Sequence, residues 1–389
     1  MIINALRLVF AALPLYANMG LAEGPSALSI SDVQLDRRQF FPERGEAVSV
    51  RLRVSVPAHV EWRWFDARDL LIRSISSDGQ LAAGESTLAW DGRDQAGRLV
   101  PPEAYHYTLV ASTADGATQE HDLTDLTGGL DLEIPSVEFD SSAQVMRYTL
   151  NAWSRVNLRI GLHDNGPLLR SLIGWNVRGP GAQAEPWDGK DASGVMRLAD
   201  STGLQLWGMA FSLTDNAVVV GDTRSPSRMI ADLPWGRVSR IVKRAPSKRM
   251  YAHSQQSYDE RGDFVVTLRR REIAPESLEA APVMMNATGG TPIEVIVPPP
   301  IAARLVQQRF ELVYFIDGLF VEEREIGVLP ATWNVSSDAL SPGERYLTVN
   351  LRGYDGSFGY GSLKVQVPSK SGAASPESAS PVSPSGGRP

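Results

Sequence analysis

Trp90-Asp91-Gly92-Arg93-Asp94-Gln95-Ala96-Gly97 returns 97 residues later as Trp187-Asp188-Gly189-Lys190-Asp191-Ala192-Ser193-Gly194. Recurrence at that period, between strand-like flanks, means that the chain repeats a small β module and does not build one large enzyme core. The flanks keep the offset. Val60-Glu61-Trp62-Arg63-Trp64 stands 96 residues before Val156-Asn157-Leu158-Arg159-Ile160, and Leu71-Ile72-Arg73-Ser74-Ile75 stands 97 before Leu168-Leu169-Arg170-Ser171-Leu172. Both blocks alternate apolar and polar residues, the period of a strand with one buried face. Val48 to Val54 and Met146 to Leu150 alternate upstream, and Tyr105 to Ala111 and Leu204 to Ala210 supply a strand after each motif. Short strands punctuated by Gly, Pro and Asp over about 100 residues read as an antiparallel sandwich.

Within the motif, Trp90 and Trp187 read as apolar anchors at a strand end, and the Asp91-Gly92 and Asp188-Gly189 pairs suit a turn that needs positive φ. Asp94 and Asp191 can accept backbone N–H bonds across that turn, which Gly97 and Gly194 end. The competing reading is a calcium loop. Each copy offers only two carboxylates three residues apart with a cation between them, fewer ligands than calcium takes. Trp62 and Trp64 share a strand face and could form a sugar-stacking platform. Their counterparts Leu158 and Ile160 fit an inward face, so core packing is the expectation.

Strand, turn, strand, the Trp-Asp-Gly-Arg-Asp-x-x-Gly-Arg-Leu-Val-Pro run and then Tyr105-x-Tyr107 together resemble the immunoglobulin-like domain of flagellar hook-capping proteins. The resemblance covers about Val33 to Ala111 and is looser in the second copy. There Leu198-Ala199-Asp200 replaces Val100-Pro101-Pro102, and Leu204 and Leu206 replace the tyrosines. No trace of the hook-capping assembly region is present, so the resemblance implies a β-sandwich used as a structural or interaction module, not capping itself.

Beyond the repeat, strand patterns return from Pro292 to Val367, with an Asp317-Gly318 hairpin turn and no Trp-Asp-Gly motif. The expectation is therefore an all-β chain of three tandem immunoglobulin-like antiparallel sandwiches, at residues 23–126, 127–232 and 285–368. A connecting segment at 233–284 and a disordered Ser/Pro/Gly tail at 369–389 complete it. Residues 1–22 have one positive residue, an apolar run from Leu8 to Leu15 and Gly20-Leu21-Ala22 before Glu23, the pattern of a secretory signal peptide. The chain has no cysteine, which excludes disulfides, thiolate metal sites and cysteine nucleophiles. Nothing after residue 22 approaches the ~18 consecutive apolar residues of a membrane span. A periplasmic or secreted protein of a Gram-negative envelope is expected.

The net charge of −7 hides a basic island of +7 between Arg237 and Arg271, which leaves −14 on the remainder. Arg237, Arg240, Lys243, Arg244, Lys248, Arg249, Arg269, Arg270 and Arg271 are its candidate partner-binding residues, by charge attraction. The sandwich edges are a second candidate surface, by strand addition. The five histidines are scattered singly, and no His-Glu-x-x-His, Gly-x-Ser-x-Gly or phosphate-loop pattern occurs. Glu322-Glu323 fits a surface hairpin as well as it fits acid–base chemistry, and Arg261-Gly262-Asp263 is a short tripeptide in a charged loop. The reading is a non-catalytic exported protein without a cofactor, serving a structural or assembly role. Its partners would be envelope proteins, an outer-membrane assembly among them, and not nucleic acid. The rival is a carbohydrate-binding or carbohydrate-processing protein engaging a polysaccharide, an anionic glycan included, through Trp153, Trp175, Trp207 or Trp235.

Overall fold

The computed structural model describes residues 27–124, 126–134, 136–201, 203–224, 263–271, 282–354 and 356–369. The expected signal peptide, the tail after Ser369 and Arg237, Arg240, Lys243, Arg244, Lys248 and Arg249 lie outside the described residues. What is described is β throughout apart from two short helical turns, and it forms three immunoglobulin-like sandwiches in tandem.

The first sandwich uses β1 (Ile30–Leu35), β2 (Gln39–Phe40), β3 (Val48–Val54), β4 (His59–Phe65), β5 (Leu71–Ser76), β6 (Gly84–Trp90), β7 (Glu103–Ser112) and β8 (Thr118–His121). Strands β1-β3-β6 form one sheet, and β7-β4-β5 are the heart of the other. Alternation is obeyed closely: Val48, Val50, Leu52 and Val54 are buried, and the residues between them face out. Trp62 and Trp64 are fully buried, and Trp64 stacks on Trp90 with ring centroids 4.1 Å apart. Both tryptophans are therefore core, as the Leu158 and Ile160 comparison required.

The second sandwich repeats this plan with β9 (Asp131–Leu132), β10 (Glu138–Asp140), β11 (Val145–Leu150), β12 (Ser154–Leu162), β13 (Leu168–Arg178), β14 (Gly181–Pro186) and β15 (Leu204–Ser212). Its sheets are β10-β11-β14 and β13-β12-β15-β9. The next strand, β16 (Ala217–Val220), goes elsewhere. It pairs antiparallel with β7 and parallel with β2, so residues expected in the second module complete a sheet of the first. Its sequence explains the placement. Val218 and Val220 enter the first core, while Ala217 and Val219 join Ala104, Val177 and Leu213 in an apolar patch between the modules. A strand buried on both faces reads as a continuous apolar run, not an alternating one.

The third sandwich holds β17 (Phe264–Val265), β18 (Thr267–Arg270), β19 (Val283–Met284), β20 (Gly290–Ile296), helix α1 (Pro299–Leu305), β21 (Phe310–Ile316), β22 (Leu319–Arg324), β23 (Ala331–Ser336), β24 (Gly343–Gly353) and β25 (Phe358–Val367). Sheet β17-β25-β24-β21-β22 faces sheet β18-β20-β23. The expected connecting segment at 233–284 thus lends three strands to this sandwich. The run from Phe264 to Arg270 closes one side by crossing from the first sheet to the second at Val266. Gly359 and Gly361 make room, because a Cβ on Gly361 would stand 1.9 Å from the Val266 carbonyl.

The modules are locked end to end. Arg155 of β12, 1% exposed, reaches Glu103 at 2.9 Å across the first interface. Across the second, Arg159 makes a bidentate pair with buried Asp263 at 2.6 and 2.8 Å and lies over the Phe358 ring. Asn350 exchanges two hydrogen bonds with the Leu168 backbone, and the Ser362 N–H donates to Ser193 Oγ. Removing one member of such a buried ion pair costs about 3–5 kcal/mol.

Candidate functional site

Strand β5 is the outer strand of its sheet, and its free row of backbone groups invites pairing. The loop after β6 answers that need. The Gln95 N–H donates to the Ile72 carbonyl, the Gln95 side chain accepts from the Ser74 N–H, and Arg73 donates to the Asp94 carbonyl. In the second module the backbone bond from loop to strand recurs 97 residues on, while the arginine takes different partners. The Ala192 N–H donates to the Leu169 carbonyl, and Arg170 holds Asp188 at 2.7 Å and the Lys190 carbonyl at 3.1 Å. The loop is a cover laid over the edge strand.

The motif residues hold that cover in shape. Trp90 and Trp187 are buried, and their indole N–H groups donate to the Arg93 and Lys190 carbonyls at 2.9 and 2.8 Å. Asp91 and Asp188 accept from the N–H two residues on. Asp94 accepts from the Ala96 and Arg98 N–H groups and from the Arg98 side chain, so its oxygens are already engaged. Asp191 accepts from the Ser193 and Met196 N–H groups, and burial raises its carboxyl above the ordinary aspartate range. Gly92, Gly97, Gly189 and Gly194 all take positive φ, near +75°, where a side chain would be strained. A Cβ on Gly92 would also stand 2.7 Å from Pro42. Tyr105 closes the first copy by donating to the Pro101 carbonyl. Among the described residues no three His, Asp or Glu side chains are grouped to hold a metal.

The third module departs at this point. Strand β22 occupies the place of β5, next to β21 and then β24, just as β5 lies next to β4 and then β7. The connection after its β23 is only residues 337–342, against 91–102 in the first module, and too short to cross the edge. Among the described residues β22 pairs with β21 alone and β23 with β20 alone. Between the two edges lies a groove of about 570 Å³ lined by Ile316, Phe320, Trp333, Val335 and Leu340. Leu319 is 74% exposed, Phe320 57% and Val321 46%, and Ile326 and Val328 continue the apolar surface. In the sequence these residues read as an ordinary hairpin. The available signal was three consecutive apolar residues on a hairpin with no covering motif after it.

Arg269 and Arg270 are engaged within the third sandwich, and Arg271 lies at its surface. Arg269 bonds Glu294, its cross-strand partner, at 2.8 Å, Arg270 bonds Asn286, and Arg271 lies 3.5 Å from the same Glu294. Asp263 of the tripeptide is buried against Arg159. Trp175 is buried and stacked on Phe211, Trp153 packs against the first intermodule patch, the Trp207 ring lies over Gly161, and Trp235 is outside the described residues. Glu322 and Glu323 both lie on β22.

No family model matches the chain, and no curated protein matches it. Among solved structures, FLGD from P. aeruginosa is 20% identical, over 32% of this chain and 86% of that one, with a TM-score of 0.20. A structure bearing on host cell surface retention of a 1.5-MDa bacterial ice-binding adhesin is 12% identical, over 88% and 99%, with a TM-score of 0.18. Trypsin-activated alpha-2-macroglobulin from Escherichia coli is 10% identical, over 89% and 35%, with a TM-score of 0.20. At such scores the likenesses carry no functional weight. Among the described residues no helix is long and apolar enough to cross a membrane.

Proposed function

We propose that this chain is a non-catalytic exported protein of the cell envelope that works as a structural and protein–protein interaction module. The first two sandwiches form a closed support, and the third presents the docking surface. One observation carries this reading: among the described residues the sandwich edge that is covered twice by the Trp-Asp-Gly loop is left bare once, and there Leu319, Phe320 and Val321 are exposed. Contiguous exposed apolar surface beside unpaired strand edges is characteristic of interaction sites. The buried pairs Arg155–Glu103 and Arg159–Asp263 give the support the stiffness needed to hold that surface at a fixed distance from the first module.

The test places a photo-crosslinking amino acid at Phe320 and, as a control, at exposed Thr87 on β6, in cells producing the full chain. Discrete crosslinked envelope proteins are expected from position 320 and not from 87. Equal patterns at both positions would end the proposal.

A further inference from the structure

Nothing in the bare edge so far says what fits it, but its charge does. In the covered modules the edge strand meets its loop through an arginine: Arg73 donates to the Asp94 carbonyl, and Arg170 donates to the Asp188 carboxylate and to the Asp191 carbonyl. Strand β22 is acidic where those edge strands are basic. After Leu319-Phe320-Val321 come Glu322, Glu323, Arg324 and Glu325, a net charge of −2 over four residues. The Glu322–Arg324 pair, at 3.0 Å, lies on the inward side of the strand, since Arg324 stacks over the buried Tyr314 ring. Inward-pointing charge on an edge strand discourages indiscriminate pairing.

A second copy of the chain is a poor occupant. Fully overlapped antiparallel pairing of β22 with itself would set Glu322 against Val321 and Glu323 against Phe320, so each acid faces an apolar side chain and gains no opposite charge. Free N–H and C=O groups, an apolar floor of Trp333 and Val335, and an acidic rim together define a complement: an extended segment that alternates apolar side chains with Lys or Arg.

Resting on the interaction role proposed above, we infer that β22 is the acceptor edge for an added β-strand, and that the strand it takes is a basic, alternating segment of a partner protein. The incoming backbone bonds the outer row of β22, as Gln95 bonds Ile72 and Ser74 in the first module. Its apolar side chains enter the groove, and its cations meet Glu323 and Glu325 on the outward side.

The experiment measures fluorescence anisotropy of the full mature chain with three nine-residue probes: alternating Val and Lys, alternating Val and Glu, and the Val/Lys probe N-methylated at every second amide. The Val/Lys probe should bind at least tenfold more tightly than either of the others. In the double variant Glu323→Lys, Glu325→Lys the order of the Val/Lys and Val/Glu probes should invert, with thermal unfolding showing that the variant is folded. Equal binding of the two charged probes, or an N-methylated probe as tight as its parent, overturns the inference, and both results are read on the unmodified protein. If crosslinks persist at Phe320 while the probes fail to discriminate, the interaction role stands and strand addition falls. If both fail, the interaction role falls with it.

Discussion

Strands β5 and β22 hold the same place in their sandwiches and are finished in opposite ways. Strand β5 is bonded by Gln95 of a loop built on Trp90 and Asp94, whereas β22 meets solvent above a groove. One architecture thus yields a closed unit or an open one according to a single connection, and the difference separates residues that hold the fold from residues free to bind. In the covered modules the conspicuous motif is structural, and the binding candidate is the place where the motif is missing.

That contrast can be broken most forcefully at Trp90. Trp90→Ala empties a fully packed site stacked on Trp64, and urea unfolding should show a loss of about 3–5 kcal/mol. Phe320→Ser on the bare edge should stay within about 0.5 kcal/mol of the parent in the same measurement. A comparable loss from both would mean that the two edges are not different in kind. Next in size, Asp94→Ala removes the acceptor for two backbone N–H groups and for Arg98, so a loss of about 1–3 kcal/mol is expected. Hydrogen exchange should rise at the amides of Ala96 and Arg98 and at Ser74, whose N–H loses its Gln95 partner when the loop lifts. Unchanged exchange at Ser74 would show that the loop does not guard the edge.

The finest distinction is in pH. Asp191 has its carboxyl raised by burial above the ordinary value of 3.8, so just above that pH the native state holds a proton that the unfolded chain has released. Its contribution is therefore fully present below 3.8 and lost as pH rises through the folded value. Asp191→Asn should flatten that part of the stability profile between pH 3 and 6, as read from urea midpoints. A profile identical to the parent's would remove Asp191 as the cause.

Much of this was legible in the chain. The 97-residue offset ties Trp90 to Trp187 and Arg73 to Arg170, and alternation in Val48 to Val54 marked its strand correctly because one face meets the core and the other meets water. What failed were positions where a second body supplies the burial. Arg155, Asn157 and Arg159 have the pattern of an outward polar face, yet neighbouring modules cover it, and acids distant in sequence, Glu103 and Asp263, receive the two arginines. The Ala217–Val220 run escaped notice for the same reason. The loop motif was readable as a turn, but its service to β5 was not, since the bond from Gln95 to Ile72 spans a turn and a whole strand.

The return of β16 to the first sandwich also sets an order of events. Chain leaving a ribosome or a translocation pore delivers residues 27–121 first, yet the partner of β2 and of the start of β7 arrives only with Ala217–Val220. Until then the first domain holds an open seam, so the first two modules complete their folding together and behave as one cooperative body despite being repeats. Contacts of such long sequence separation slow folding. Nascent chains arrested after about residue 205 should therefore yield to protease across the first module, whereas chains extended past residue 260 should resist, and equal resistance at both lengths would show that the first module closes alone.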